Sequence, residues 1–455
     1  MLPLDMGIAM STRPGRILVV DDERGWRELL SDTLANGGFV VDTAASKREA
    51  TERLSLGLYH LAILDIRMEL EDYSNEQGME LLREHAVLQY GDIIQVLVLS
   101  AFGTEGQMRE AFRDYKVADF VDKKRRFRDI EFLERVRNLF NAAQINLDLE
   151  VSWQMGYDSL KAIDGLVVKG SRIRSKDEDS AMQLALELED LLCRIFHNAK
   201  QLIVHPFGSA YLRGRTGVLW AQPAYDQGGA ALPVVVKFGD AQLIENEYRN
   251  FIEYVQPYVG GGRSTHAQLL RRTPRLGGIV YSLLGKEGEP LEDFATFYKK
   301  SEVSTVLQAI DHLFESTCKA WYASPGHIHI FDLTRHYQET LGLRSEALER
   351  AWREGLKSVQ GKERLHFESL STHRTLRNPF LSLDGEGIKV STYETITHGD
   401  FNDQNILVDA EGHTWLIDFQ STEPGHILRD VVQLDAVIRI RLLAQDEAKI
   451  GRAHV

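Results

Sequence analysis

Between Gly15 and Phe140 short apolar runs alternate with helical patterns, and this alternation restricts the fold more than any other feature of the chain. Ile17-Leu18-Val19-Val20 is an unbroken apolar run of the kind buried in a parallel sheet, and it stops abruptly at Asp21-Asp22. A helical pattern follows, with Trp26, Leu29, Leu30, Thr33 and Leu34 on one face before Gly37-Gly38. Strand-like runs recur at Val40-Val41, Leu61 to Leu64, Val96 to Leu99 and Phe120-Val121, with helices around Ala50 and Leu54 and through Leu81-Leu82. The order predicts an α/β, doubly wound parallel sheet whose site collects at the C-terminal ends of the strands. Asp21, Asp22, Asp65, Ser100 and Lys123 stand at those ends. Clustered carboxylates repel one another unless a divalent cation and a lysine offset their charge, so Asp21, Asp22 and Asp65 are predicted to hold Mg2+. A carboxylate beside Mg2+ can attack a phosphoryl group.

These residues, at these strand ends, resemble the receiver domain of two-component response regulators over residues 15–140. The resemblance implies a flavodoxin-like fold, with Asp65 as phosphoacceptor and Asp21 and Asp22 on the metal. It further implies Ser100 as the hydroxyl that follows the phosphoryl group, Lys123 as its counter-charge and Phe120 as the aromatic switch. A cognate histidine kinase or phosphotransfer protein would be the donor. Three departures stand out: a long acidic loop from Met68 to Gly78, Arg67 two residues after Asp65, and Lys124 where the family has Pro. The run KKRRFR reads as a solvated strip beside Lys123.

A second constellation occupies Thr397 to Phe419, THGDFNDQNILVDAEGHTWLIDF. Asp400 and Asn405 lie five residues apart, and after the turn at Glu411-Gly412 an apolar strand delivers Asp418. Phosphoryl transfer from a nucleotide needs a carboxylate to accept the proton of the incoming hydroxyl. It also needs an amide oxygen and a second carboxylate to hold Mg2+. Asp400 suits the first role, Asn405 and Asp418 the second; the alternative is a β-hairpin with surface acids. Upstream, Val234 to Phe238 places Lys237 in a β-branched run, where a buried lysine needs a partner. Glu247 is favoured for that partner and Glu245 is the alternative. Gly208-Ser209-Ala210 and Gly214 to Gly217 suggest strands joined by small residues, whose backbone could cover phosphates.

The His398-Gly399-Asp400 motif resembles the aminoglycoside phosphotransferase and choline kinase branch of the kinase-like fold. Gly399 and Gln420 depart from the protein-kinase pattern, and the short distance to Arg429-Asp430 leaves no room for a long activation loop. VVVKFG, ENEYRNF, RLGGIVYSLLG, CKAWY and HGDFNDQNILV together resemble the bacterial ternary complex-associated domains. These resemblances imply a two-lobed α+β kinase-like domain over residues 201–449 that uses ATP and Mg2+. Lys237 and Glu247 would grip the phosphates, backbone at Tyr281 to Leu283 would meet the adenine, and Asp430 would brace the catalytic loop. The amphipathic pattern from Val303 to Phe314 and a stretch over about Leu333 to Leu356 predict its helices.

Residues 141–200 read as a helical connector. Ile130, Leu133, Val136, Leu139 and Phe140 carry a helical period to the boundary, and Ser175-Lys176-Asp177-Glu178 has the spacing of a capping box. Leu184, Leu188, Leu191, Leu192 and Ile195 then form one apolar stripe. Core packing is the plain reading of that stripe; a homodimer contact or a signal-transmitting helix is the alternative.

At 455 residues the chain predicts two or three domains, and 43% hydrophobic with 26% charged residues fits a soluble protein. A net charge of -14 argues against nucleic acid as partner, and no helix-turn-helix pattern occurs. Cys193 and Cys318 lack metal-ligand spacing and predict reduced thiols in the cytoplasm. MLPLDMGIAM has no basic region ahead of a long apolar core, and no run reaches the roughly 20 apolar residues of a membrane span. Residues 450–455 match the translation of a sequencing-library adapter, so the kinase-like domain is expected to be truncated near Lys449. The expected function is a phosphorelay protein whose receiver, phosphorylated on Asp65, regulates a phosphotransferase acting on an unknown hydroxyl acceptor. The alternative is a nucleotide-binding scaffold without turnover.

Overall fold

The computed structural model describes residues 13–56, 58–66, 77–83, 93–101, 113–115, 117–123, 127–174, 178–207, 212–226, 229–259, 267–282, 291–323, 326, 328–340, 354, 364–369, 372–377 and 388–442. The chain divides into two compact units, Met1–Tyr248 with His266–Leu283, and Arg249–Thr265 with Leu284–Val455.

The first unit opens with five parallel strands, β1 (Arg16–Val20), β2 (Val40–Ala44), β3 (Leu61–Leu64), β4 (Gln95–Ser100) and β5 (Asp119–Asp122), in the order β2-β1-β3-β4-β5. The apolar runs of β1, β3 and β4 reflect burial on both faces. Ile17, Val19, Leu61 and Ile63 feed one core, and Leu18, Val20, Ala62 and Leu64 feed the other. Helices α1 (Arg24–Asn36), α2 (Lys47–Leu56), α3 (Gln77–Arg83) and α4 (Asp129–Ala142) complete these layers, with α1 and α4 on the first face and α2 and α3 on the second. The strand order reverses between β1 and β3, which opens a crevice beyond their C-terminal ends.

A second sheet follows in the same unit. It contains β6 (Glu150–Trp153), β7 (Gln201–Pro206), β8 (Thr216–Tyr225), β9 (Val234–Asp240), β10 (Ala267–Arg272) and β11 (Leu276–Ser282), in the order β10-β11-β9-β8-β7-β6. Only the pairing of β6 with β7 is parallel among these six. Residues 141–200 thus differ from the helical connector expected of them, because they supply the edge strand β6 as well as a helix. Four residues with only Val151 and Trp153 turned toward the core carry too little alternation to announce a strand.

Helix α5 (Glu178–Ile195) buries Leu184, Leu188, Leu191 and Leu192 in the core of this second sheet, and Leu191 and Ile195 pack against Gly278 of β11. Three of its charged residues, Glu187, Asp190 and Arg194, are buried as well. Asp190 accepts a hydrogen bond from His60 Nε2 at 2.7 Å and one from Arg194 Nε at 2.6 Å. Arg194 Nη1 donates to the carbonyl of Ile93 at 3.1 Å, just ahead of β4. The His60 tautomer is set by its other nitrogen, since Nδ1 accepts the Arg16 N–H at 3.0 Å and Nε2 therefore carries the proton. Burial alone would raise the Asp190 carboxyl, but Arg194 and His60 outweigh it and hold the group below the usual carboxylate range. Arg13 pairs with Glu189, which also accepts from Trp153 Nε1 at 2.8 Å.

The second unit holds β12 (Ile328–Asp332), β13 (Lys389–Thr397), the hairpin β14 (Ile406–Val408) and β15 (Thr414–Leu416), and β16 (Glu423–His426). Strand β13 lies between β12 and β16. Of the helix expected over about Leu333 to Leu356, the described part is Leu333–Thr340. Residues 443–455, with the expected artefact at 450–455, lie outside the described residues. Among the described residues no helix is long and apolar enough to cross a membrane.

Replacing Asp190 by Ala would strand Arg194 in a buried join without its counter-charge and leave His60 Nε2 without its acceptor. The expected loss is about 3–5 kcal/mol, read by urea unfolding of the full chain. Glu28→Ala, which removes the partner of exposed Arg24, should leave the unfolding midpoint unchanged.

Candidate functional site

At the C-terminal end of the first sheet, β1 delivers Asp21 and Asp22, and β3 delivers Asp65, whose N–H is held by the Val20 carbonyl at 2.9 Å. Ser100 closes β4 and is buried, and the Lys123 N–H donates to its carbonyl at 3.1 Å. Lys123 Nζ then reaches both Asp21 Oδ2 and Asp65 Oδ2 at 2.5 Å. Ligand oxygens of Asp21, Asp22 and Asp65 all lie within 4.8 Å of one another, a set of hard donors that fits a divalent cation such as Mg2+.

Burial, reinforced by the neighbouring Asp65, pushes Asp21 up to about 6 although Lys123 pulls the other way. Burial would lower the Lys123 ammonium, and the two carboxylates overcome it and hold that group above its ordinary value. The acidic turn is fixed from outside: Arg27 Nη1 donates to the carbonyls of Asp21 and Asp22, each at 2.7 Å. Gly78 was not singled out by the sequence. A Cβ there would lie 2.0 Å from the Asp65 carbonyl oxygen, so only glycine lets α3 approach the strand end so closely. Phe120 is half-buried against the α2/α3 core. Arg67, Lys124 and most of the Met68 to Gly78 loop lie outside the described residues.

Elsewhere in the first unit, Lys237 of β9 meets Glu247 of α6 (Ala241–Asn250) at 2.6 Å, and both are buried. Glu245 turns instead to Arg272 at 2.7 Å. The Tyr281 hydroxyl donates to the other Glu247 oxygen at 2.8 Å, a contact that sequence reasoning did not anticipate. Register explains it: Lys237 pairs with Ile279 and Val235 with Tyr281, so Lys237 and Tyr281 are diagonal neighbours on one face. Leu283 and Gly208-Ser209-Ala210 lie outside the described residues.

In the second unit, Asn405 is fully buried and its Nδ2 donates to both the carbonyl and the Oδ2 of Asp400, each at 3.0 Å. That commitment of the nitrogen makes the amide oxygen the atom able to ligate a cation. The Ile417 N–H donates to the Asn405 carbonyl at 3.1 Å, and His398 Nε2 donates to the Ile417 carbonyl at 3.0 Å. Asp418 follows Ile417 in left-handed backbone, φ 67°, an uncommon conformation for a residue other than glycine. Helix α7 (Arg429–Val437) braces the loop: Asp430 accepts the N–H groups of His398 and Gly399 at 2.8 and 3.0 Å and the Tyr322 hydroxyl at 2.7 Å. Gln433 and Arg429 donate to the Gly399 carbonyl at 2.9 and 3.2 Å. A further acidic group, Asp409, Glu411 and His413, is a turn closed on itself, with Asp409 accepting the N–H groups of Glu411 and His413.

Gly399 has φ 81°, and a Cβ there would lie 2.1 Å from the Ser421 carbonyl oxygen and 2.8 Å from Arg429 Nη2. Gly399→Ala is therefore expected to displace Asp400, seen as a drop of several degrees in the melting temperature of the full chain. A second expectation concerns acid. Burial lowers His398 and His336 below the ordinary value of 6.5, and lowers His426 with added repulsion from His336. The folded state then keeps these rings neutral while the unfolded chain takes up protons first. Stability is fully present above about 6.5 and falls as pH drops below it. Thermal unfolding followed from pH 7.5 to 5.5 should show a steadily falling midpoint.

Residues 17–136 match the response regulator receiver domain family. Residues 211–364 and 349–450 match ternary complex associated domain 9 and together take in more than half of the chain. Response regulator MprA of Mycolicibacterium vanbaalenii is 34% identical over 126 residues, 28% of this chain and 50% of that protein. Transcriptional regulatory protein GlrR of Escherichia coli K12 is 36% identical over 95 residues, 21% of this chain and 20% of that protein. The chain thus spans half or less of the length of these relatives. Among solved structures, response regulator protein TrrA of Thermotoga maritima, in complex with Mg(2+)-BeF, is 32% identical with a TM-score of 0.23, covering 28% of this chain and 98% of that one. The chain belongs to the ternary complex associated domain 9 family, and ahead of that domain it carries a response regulator receiver domain, the module of phosphorelay signalling.

Proposed function

We propose that this chain is a phosphorelay output protein of the cytoplasm, in which phosphorylation of Asp65 regulates an ATP- and Mg2+-dependent phosphotransferase. The donor would be a cognate histidine kinase or phosphotransfer protein. Asp65 attacks phosphorus, and the donor's leaving group departs with the electron pair of the broken bond. Asp21 and Asp22, with Asp65, would hold Mg2+, Ser100 would meet the phosphoryl oxygens, and Lys123 would balance their charge.

The observation that carries the second activity is the lock between Asp400 and Asn405, followed across the hairpin by Asp418 in left-handed backbone. Strain of this kind persists where the surroundings over-determine it, and it gathers at functional sites. In the proposed kinase-like reaction Asp400 accepts the proton of an acceptor hydroxyl as its oxygen attacks the γ-phosphorus of ATP, and ADP leaves with the bonding pair. Asn405 and Asp418 would hold Mg2+, which supplies neutralising charge to the phosphates. Lys237, fixed by Glu247, would bind phosphate oxygens.

The test is ATP turnover by the full chain with Mg2+, with and without an acyl phosphate as phosphodonor. Turnover should respond to the donor, and Asp65→Ala should abolish that response. Asp400→Asn should lower turnover by about 10²-fold or more while nucleotide binding persists. Nucleotide binding without turnover in either receiver state, across a panel of hydroxyl acceptors, would replace the enzyme with a non-catalytic scaffold.

A further inference from the structure

An aromatic ring borders the phosphorylation site. Lys123 Nζ, while it bridges Asp21 and Asp65, stands 5.3 Å from the centroid of the Trp26 ring, inside the range of a cation–π contact. The indole is supported by a second ring. Phe127 meets it edge-on, with centroids 5.7 Å apart and planes at 82°, and Phe127 in turn packs on Phe132 of α4 at 5.1 Å. Trp26 and Phe127 both lie half-buried against the core shared by α1 and α4. Trp26 cannot drift from the acidic turn, because the next residue, Arg27, is bonded to the carbonyls of Asp21 and Asp22. The Lys123 side chain is left only 5% exposed.

We propose that Trp26 is a positioning residue for the phosphoryl group on Asp65: its ring face holds the Lys123 ammonium against Asp21 and Asp65 and keeps water from it. The aspartyl phosphate is lost when a water oxygen attacks phosphorus. The bond to Asp65 then breaks with its electron pair returning to the carboxylate, phosphate departs, and the water's proton passes to solvent. Lys123 opposes this loss because, as counter-charge to the phosphoryl oxygens, it favours the ground state over a loose transition state that draws charge off those oxygens toward the departing Asp65 carboxylate. A cation screened from water is a stronger counter-charge than a hydrated one, because the local dielectric is lower. Trp26 therefore acts through Lys123, and the lifetime of the phosphorylated receiver depends on the π face of the indole rather than on its bulk.

Leu and Phe separate those two properties. The full chain is labelled on Asp65 with a radioactive acyl phosphate in Mg2+, the donor is removed, and loss of label is followed. Trp26→Leu should shorten the half-life about threefold to tenfold, and Trp26→Phe should change it by less than about twofold. Urea unfolding midpoints show whether each variant is folded; should Trp26→Leu fail, Phe127→Leu, which withdraws the support, is expected to shorten the half-life in the same direction. A wild-type half-life in the folded Leu variants overturns the proposal. Equal shortening by Trp26→Phe and Trp26→Leu overturns it too, since packing alone would then suffice. Failure of the unsubstituted chain to take label removes its basis.

Discussion

Asp190, buried between an imidazole and a guanidinium, is the interaction on which the architecture of the first unit depends. Desolvating a carboxylate costs several kcal/mol, and the cost is offset only where partners stand at hydrogen-bonding distance. His60 comes from the receiver, Arg194 from the same helix one turn on, and the Ile93 carbonyl takes up a further guanidinium N–H. Such a join tolerates one register, because a shifted helix would leave three groups unsatisfied. The same helix presents Leu191 and Ile195 to β11, so the receiver sheet and the sheet bearing Lys237 are held through one rigid element. A flexible tether would only have set their local concentration.

The loop at Asp400 shows the same economy. Backbone groups of His398, Gly399 and Phe401 all find partners on α7, at Arg429, Asp430 and Gln433. Glycine at 399 has a spatial reason. Arg429 already reaches that carbonyl from the helix, and its guanidinium lies where a side chain at 399 would begin.

Legibility in the sequence followed the range of the interaction. The receiver was readable because an apolar run that stops at a polar residue is a local pattern, and β1, β3 and β4 stop at Asp21, Asp65 and Ser100. Lys237 was readable because one lysine in a β-branched run demands a partner, and α6 supplies Glu247 ten positions on. His60 and Asp190 are 130 positions apart, and nothing local distinguishes either from a solvated polar residue. Tyr281 illustrates a different failure. Its place in the strand was legible, but its hydroxyl depends on a β9/β11 register that periodicity cannot fix. Trp26 counted as one more apolar position of α1, because the lysine beneath it arrives from β5.

Position within the receiver also constrains how any signal could leave it. His60 directly precedes β3 and Asp65 directly follows it, so the join and the proposed phosphorylation site occupy opposite ends of one four-residue strand. At about 3.3 Å per residue that separation is roughly 16 Å. A stiff strand conveys displacement, but it supplies no free energy of its own. A modification shifts an equilibrium only by the difference in its interaction with two states. Control of the Lys237 sheet through α5 therefore requires the Asp190 join to have a second arrangement close in energy to this one. The buried charge works against that, since a partly opened join would leave His60 or Arg194 unpaired. A signal passing through this route would have to move α5 as a body with its charges still paired, which favours small sliding of packed elements over opening of the join.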